Sequence, residues 1–568
     1  MSRPRQATTK PRAPWLQLLT VAACAVLVYA RVAGSGWLLD DETVLNLQLP
    51  YFNSWSAVLK PPADIPQWSP KYYRPVVVAS YKLDDALARS IAASPSELDA
   101  ARRRTFHASN VLLHAGVALM ALMLARRMLP APAAFAAALW FAVWPPLAEP
   151  VAWMTGRSDL WCALLLLAGL LSASHRRWFL AGGLALLAML SKEAALVWPA
   201  LLPILVWAQE RDGTPSSPLS KRAVALAALS PTLLCLAWRT AILPPSPELR
   251  DFVSPGAAAL SYLGGLTRIL LWPAPGLSPL YGAPPVGYAV LALVLLAASL
   301  WLGVSAWRTA RHTMLFALAM FWLPLVPATV AQLYIGPDRP LGERYVYMSA
   351  FGLMLVVMSL ARQISARVAL VIAAPLALIS FTRAGLWSDG ATYWAAMRAA
   401  APHAAEPAMQ LGAQAERAGN LDQARSFYLQ AIATARTPEM QARLSFNLGT
   451  LDLRKDDPAA ALVNLDRAAA LDPSLSLLPF QRGAAHFRLG QRAADVEARQ
   501  REWREAERLL RQMIARQPNY GRAHFLLGRL LLETGRKDEA MSELQSVIRL
   551  EPQGKEAQQA NELLKSMR

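Results

Sequence analysis

The chain has 568 residues, 55% of them hydrophobic and 17% charged, with a mean hydropathy of +0.26, and roughly the first 400 are too apolar for a soluble enzyme. Lys and Arg number 57 against 39 Asp and Glu, a formal charge of +18, yet the basic residues fall in short clusters between apolar runs, where they set topology, and this placement excludes a nucleic-acid partner. Cys24, Cys162 and Cys235 lie inside apolar runs, which predicts buried thiols and no disulfide framework.

In chain order, Arg3, Arg5, Lys10 and Arg12 precede an apolar stretch at 13–33 without a small-residue cleavage site, which reads as a retained anchor with a cytoplasmic N-terminus. A first outer loop, about 34–105, then carries Asp40, Asp41 and Glu42, Trp37, the string Tyr72-Tyr73-Arg74-Pro75 and Lys82. Repulsion within the acidic trio raises at least one pKa and leaves another group ionised, which suits a general base or a divalent-cation site. A solvated helix cap is the plainer reading.

Further spans fit at 108–125, 131–148, 160–175, 178–191, 194–208, 222–241, 286–307, 313–332, 345–361 and 367–384, about eleven in all. Alternating them places Arg126 and Arg127, Arg176 and Arg177, Lys221 and Arg222, Arg308 and Arg311, and Arg362 and Arg367 on the cytoplasmic side. That agreement requires the stretch 256–285, interrupted by Arg268, to stay on the outer face. The odd count puts the C-terminal region outside, giving a multi-pass protein of the bacterial inner membrane with a periplasmic tail. His107, Asn110 and His114 share one helical face at the mouth of the second span. They suit a polar headgroup, the carboxylates or an interhelical hydrogen bond, and no Cys or tight His pair makes them a metal site. His175 beside Arg176 reads as topological.

After about residue 400 the pattern becomes repetitive. Leu411-Gly412, Ala424, Tyr428, Ala431 and Pro438 are matched by Leu448-Gly449, Ala461, Leu465, Ala468 and Pro473, and again by Leu527-Gly528, Ala540, Leu544, Val547 and Pro552. This is tetratricopeptide-repeat spacing, with Gly and Ala where paired helices approach most closely. A further copy starts at Gly483, but its Ala506 and Pro518 come late, which predicts one lengthened helix. The expected architecture is all-α: a polytopic membrane domain over 1–400, then an α-solenoid over 401–568 with about four repeats and a capping helix at 555–568. Such an array presents a groove to a peptide or partner protein, a purely structural role being the alternative.

The outer turns repeatedly carry both signs of charge: Glu149 through Asp159 including Arg157, then Ser191-Lys192-Glu193, then Gly342-Glu343-Arg344-Tyr345. Ionisable groups at a bilayer surface are expensive and face a cavity or one another. Arg and Lys opposite carboxylates suit a substrate that is anionic in one part and deprotonated in another, such as a lipid phosphate carrying a sugar with an acceptor hydroxyl. Structural pairing of Lys192 with Glu193, and of Glu343 with Arg344, is the alternative.

The ordered set of acidic pair, Tyr73-Arg74-Pro75, Asn110 with His114, Glu149-Pro150-Val151-Ala152-Trp153 with Gly156-Arg157 and Asp159, Ser191-Lys192-Glu193 and Glu343-Arg344-Tyr345, followed by the repeats, resembles the transmembrane and tetratricopeptide-repeat O-mannosyltransferase-like proteins and their bacterial relatives. The resemblance covers nearly the whole chain. It implies the GT-C membrane glycosyltransferase fold, a polyprenyl-phosphate-linked sugar as donor, contact with membrane lipids, and Asp40 and Asp41 as the catalytic pair. The chain departs from its relatives at Trp144-Pro145-Pro146, where they tend to carry His before the Pro.

On this reading Asp40 or Asp41 deprotonates a protein or envelope-glycan hydroxyl, while Arg74, Arg157, Lys192 and Arg344 hold the leaving phosphate. Glu42, Tyr73, His107, Asn110, His114, Glu149, Asp159, Glu193, Glu343 and Tyr345 bind acceptor or support the site. No cofactor follows from the sequence, apart from a divalent cation that the acidic trio can hold. An O-antigen-ligase-like glycan transferase and a non-enzymatic membrane-anchored repeat scaffold stay open beside it.

Overall fold

The structure is a computed structural model that describes residues 14–62, 65, 73–212, 221–242, 255–277, 279, 281, 284–335, 342–361 and 363–567. Among them, regular structure is entirely helical. The chain divides into two compact units, Met1–Ala401 and Pro402–Arg568.

The first unit carries α1 (Pro14–Tyr29), α2 (Trp55–Leu59), α3 (Pro75–Ile91), α4 (Leu98–Ala125), α5 (Ala131–Ala142), α6 (Ala148–Ala152), α7 (Arg157–Ser174), α8 (Trp178–Met189) and α9 (Trp198–Arg211). It continues through α10 (Lys221–Ile242), α11 (Pro255–Leu271), α12 (Val286–Arg308), α13 (His312–Trp322), α14 (Leu325–Ile335), α15 (Tyr347–Ala361), α16 (Ala366–Gly385) and α17 (Gly390–Ala400). Helix α4 packs against α1, α3, α5 and α7, so its polar face of His107, Asn110 and His114 is wholly inside. The Ala-rich face of α5 buries Ala133 through Ala138 and lets α4 and α15 come close.

Eight described helical segments are long and apolar enough to cross a bilayer, and a ninth is the pair Ala131–Ala142 and Pro145–Ala152, bent by 53°. The expected eleven are therefore not all found among the described residues. The stretch at 178–191 forms a helix of only 12 residues, and that at 194–208 is a 3-10 turn, Glu193–Val197, running into the 14-residue α9. At 1.5 Å per residue α8 reaches about 18 Å, short of a hydrocarbon core about 30 Å thick. The interrupted stretch at 256–285 contains α11, which packs on α12 and α14.

The bend follows from Pro145 and Pro146, which cannot continue the α5 hydrogen-bond ladder. The carbonyls freed at the end of α5 are taken by side chains from other helices. His114 Nε2 lies 3.0 Å from the Ala142 carbonyl, and Ser380 Oγ donates to the Val143 carbonyl at 2.7 Å. Such groups must be satisfied internally where no water is present.

The second unit runs through α18 (Ala405–Arg417), α19 (Leu421–Thr434), α20 (Pro438–Arg454), α21 (Pro458–Leu471), α22 (Leu478–Arg492), α23 (Val496–Arg516), α24 (Gly521–Glu533), α25 (Lys537–Leu550) and α26 (Lys555–Ser566). Helices α18 to α25 pack as successive antiparallel pairs, and α26 lies on α25. Each pair closes on a glycine: a Cβ on Gly449 would stand 2.6 Å from the Leu465 side chain and 3.0 Å from the Ala461 carbonyl. Gly412 meets Tyr428 and Ala424, and Gly528 meets Leu544 and Ala540, in the same way. Helix α23 has 21 residues where α21 and α25 have 14. It places Ala506 against Gly483 and carries its added turns beyond the shared register.

Candidate functional site

Arg74 just before α3, Asp159 in the first turn of α7 and Glu343 just before α15 pair with residues at or just beyond the C-termini of α8 and α16. Arg239, near the C-terminus of α10, joins the first of these pairs at Glu193, so one end of the first unit collects the charged motifs. In the acidic corner the three neighbours diverge. Asp40 and Glu42 are exposed, and Asp41 is fully buried. The Asp41 carboxylate accepts the Leu38 N–H at 2.9 Å and the Thr155 N–H at 3.3 Å, tying the first loop to the turn that follows α6. Burial pushes its pKa up to about 8; the two backbone donors oppose the shift, and the charge of Asp40 adds to it. Among the described residues no three His, Cys, Asp or Glu side chains converge as a metal site would need, and the trio does not form a cation cradle. Trp37 leads the corner, stacked on the His107 ring at 5.9 Å and donating to Asp99 at 2.8 Å.

Arg157 lies inside rather than at the surface. Its side chain is 1% exposed and pairs with Asp84 at 2.6 Å. Its Nε donates to Asn110 Oδ1 at 2.7 Å, one terminal nitrogen donates to the Phe106 carbonyl at 2.6 Å, and the guanidinium lies over the Tyr81 and Phe106 rings. Asn110 turns its amide to the Trp153 carbonyl at 2.9 Å, so Arg157 and Asn110 together hold the loop between α6 and α7. His114 serves the helix bundle instead of a headgroup. Its Nε2 must donate to the Ala142 carbonyl, which leaves Nδ1 to accept the Tyr347 hydroxyl at 2.7 Å.

The remaining cations form a belt of pairs, with partners other than the adjacent ones expected from sequence. Lys192 grips both Asp159 oxygens, at 2.6 and 2.7 Å, with Nζ 5.4 Å from the Tyr345 ring centre. Glu193 turns away to take Arg74 at 3.0 Å and Arg239 at 3.3 Å. Burial pushes the Glu193 carboxyl up, but the two guanidinium groups outweigh it and hold the group below its ordinary value.

Arg344 pairs with the buried Glu149 at 2.5 Å, its guanidinium 4.7 Å from the Tyr345 ring and 5.1 Å from the Trp153 ring. The second Glu149 oxygen accepts the Glu343 N–H at 2.5 Å. Glu343 itself pairs with Arg383, which also donates to the Ala274 and Gly276 carbonyls. Tyr73 donates its hydroxyl to the Leu59 carbonyl at 2.8 Å and receives the Trp238 indole N–H at 2.9 Å. Tyr72 lies outside the described residues.

Sequence reasoning missed Asp84, Arg239 and Arg383. The last two were marked all the same, since an arginine near the end of an otherwise apolar span is expensive unless it has a partner or a task. Asp84 gave no such signal, because it sits in an ordinary amphipathic helix.

The tetratricopeptide repeat family matches residues 492–555, so the C-terminal unit carries such repeats. The chain is 28% identical over 178 residues to the Homo sapiens Protein O-mannosyl-transferase TMTC4, a match covering 28% of this chain and 23% of that protein. It thus spans under a quarter of the length of the curated relative it matches. Among solved structures it is similar to MamA (20% identity, TM-score 0.24, covering 28% of this chain and 85% of that one). It is also similar to YrrB, a TPR protein with an unusual peptide-binding site (18%, 0.24, 30% and 81%). Yeast Tom70 is a third (14%, 0.26, 76% and 91%).

Proposed function

We propose that the chain is a membrane glycosyltransferase that moves a sugar from a polyprenyl-phosphate carrier to a hydroxyl of a protein or envelope glycan, on the outer face of the bacterial inner membrane. The observation that carries this reading is the gathering of the acidic corner and the paired Arg and Lys belt at one end of an apolar helix bundle. The partial likeness to an O-mannosyltransferase supports the sugar-transfer class. The repeats supply a surface for a protein or peptide partner.

In this mechanism Asp40, the exposed member of the pair, takes the acceptor proton, and the acceptor oxygen attacks the anomeric carbon as the carrier phosphate leaves. Asp41 holds the loop that presents Asp40. Arg74, Arg344 and Lys192 stand near the departing phosphate and steady its charge. Glu149 positions Arg344, and Asp159 positions Lys192. Arg157, consumed by Asp84 and Asn110, shapes the loop instead of touching phosphate.

The test is transfer of labelled sugar in membranes supplied with polyprenyl-phosphate sugars, with the native chain compared with Asp40→Asn at equal abundance. Transfer by the native chain alone supports the reading and its proton acceptor. Full transfer by Asp40→Asn removes that assignment. Transfer by neither favours a membrane-anchored repeat scaffold.

A further inference from the structure

Six cations described above take part in ion pairs at this end, and the pairs differ in how far a ligand can reach them: Arg344 is 23% exposed, but its partner Glu149 only 6%. Arg157 and Arg383 are each 1% exposed and Lys192 is 11% exposed, so their counter-charges are built in. Arg74 and Arg239 are 21% and 19% exposed, and the Glu193 between them is 36% exposed. Each guanidinium takes a different oxygen of that one carboxylate, Oε2 for Arg74 and Oε1 for Arg239. Arg74 also reaches the Ser158 hydroxyl at 3.4 Å, and Arg239 reaches the Tyr73 carbonyl at 3.2 Å.

Two forked donors converging on the two oxygens of one reachable carboxylate describe a phosphate seat whose present occupant is a side chain. We infer that Arg239 and Arg74 together seat the phosphate of the donor, and that Glu193 is the resident anion which the phosphate displaces. This rests on the reading of the preceding subsection and adds to it a residue from the end of α10. Glu193 keeps the two guanidinium groups aligned while the seat is empty. A phosphate brings at least one full negative charge to the same donors, and repulsion then drives the carboxylate towards the solvent it already faces.

The expectation is therefore asymmetric. Arg239→Gln removes a charged fork and weakens phosphate binding, whereas Glu193→Gln removes the competitor and tightens it. A purely structural bridge predicts no such opposition, because breaking it from either side loosens the same contact.

The experiment measures binding of a prenyl monophosphate to the full chain in nanodiscs by thermophoresis, with the matching prenol and inorganic phosphate as parallel probes. Native chain, Arg239→Gln, Arg239→Lys and Glu193→Gln are compared, with a melting curve for each. The expected result is a loss of roughly 10-fold or more for Arg239→Gln, from one charge-assisted hydrogen-bonding group. A smaller loss is expected for Arg239→Lys and a gain for Glu193→Gln.

If Arg239→Gln does not fold, the Lys variant and the gain in Glu193→Gln still decide. Prenyl phosphate bound by all four alike, or weakened by Glu193→Gln, overturns the seat and leaves the lipid-linked donor standing. The expected pattern with inorganic phosphate, while prenyl phosphate binds no better than prenol, keeps the seat and removes the lipid carrier. Binding of neither anion by the native chain removes both.

Discussion

In the first unit, opposite charges find each other across long stretches of sequence and under cover: Arg157 with Asp84, Lys192 with Asp159, Arg344 with Glu149. In the repeats most pairs also join one helix to another, but they are wetter: the side chains are 48% and 71% exposed in Arg492 with Asp456, and 58% and 34% in the local pair of Arg508 with Glu505. The difference is energetic as well as geometric. A covered pair has already lost its hydration, so removing one partner strands the other, whereas an exposed pair can return to water at little cost.

The largest effect should come from breaking a covered pair on one side only. Asp84→Asn leaves the Arg157 charge buried and should cost about 3–5 kcal/mol, seen as a collapse of the detergent melting temperature. Replacing both partners, Arg157→Met with Asp84→Leu, should recover most of it. If the single change melts like the native chain, the distinction between covered and exposed pairs fails where it is sharpest.

The same contrast of cover and exposure divides the acidic corner. Asp40→Asn should reduce transfer about 100-fold or more with melting unchanged. Asp41→Asn should lower both, because its carboxylate holds two backbone donors. Equal melting losses in the two variants would erase the proposed division of labour.

In the repeats the sensitive contacts are steric. Gly449→Ala places a methyl against Leu465 and the Ala461 carbonyl and should cost about 1–3 kcal/mol. Hydrogen exchange along α20 and α21 measures it.

A buried histidine gives a smaller, pH-dependent effect. Both ring nitrogens of His524 face acceptors, the Glu543 carboxylate at 2.6 Å and the Pro518 carbonyl at 2.9 Å, a setting that only the imidazolium satisfies. The bond to Glu543 raises its pKa, with burial opposing. Its stabilisation is therefore complete below the ordinary value of about 6.5 and is lost as pH climbs through the raised one. His524→Gln should speed exchange in α24 at pH near 6 and leave it unchanged near 9, pH values chosen as roughly either side of that titration. The smallest effect belongs to Arg508→Gln, at most about 1 kcal/mol and fading with salt.

The helix pairs of the repeats were legible because Gly412, Gly449 and Gly528 stand at fixed distances from the Ala they face, and local spacing sets that packing. The charged turns were legible as a group, because charge is costly beside apolar spans. The identity of the partners was not. Lys192 and Glu193 are neighbours in sequence, but Lys192 has extended backbone, with φ −162° and ψ 144°. Consecutive side chains there point to opposite sides, one to Asp159 and the other to two arginines. The spans were less legible: a window of apolar residues does not reveal that α8 stops after 12 residues or that α9 begins as a 3-10 turn.

The broken end of α5 has a consequence for the order of assembly. The Val143 carbonyl is completed by Ser380, 237 residues later, and the Ala142 carbonyl by His114, which precedes it. One of these ligands is already synthesised when α5 emerges, and the other arrives only with the last long apolar helix. The kink should thus remain half sealed and hydrated through most of translation, and Trp144 fluorescence in a series of truncated chains should shift only once Ser380 is included.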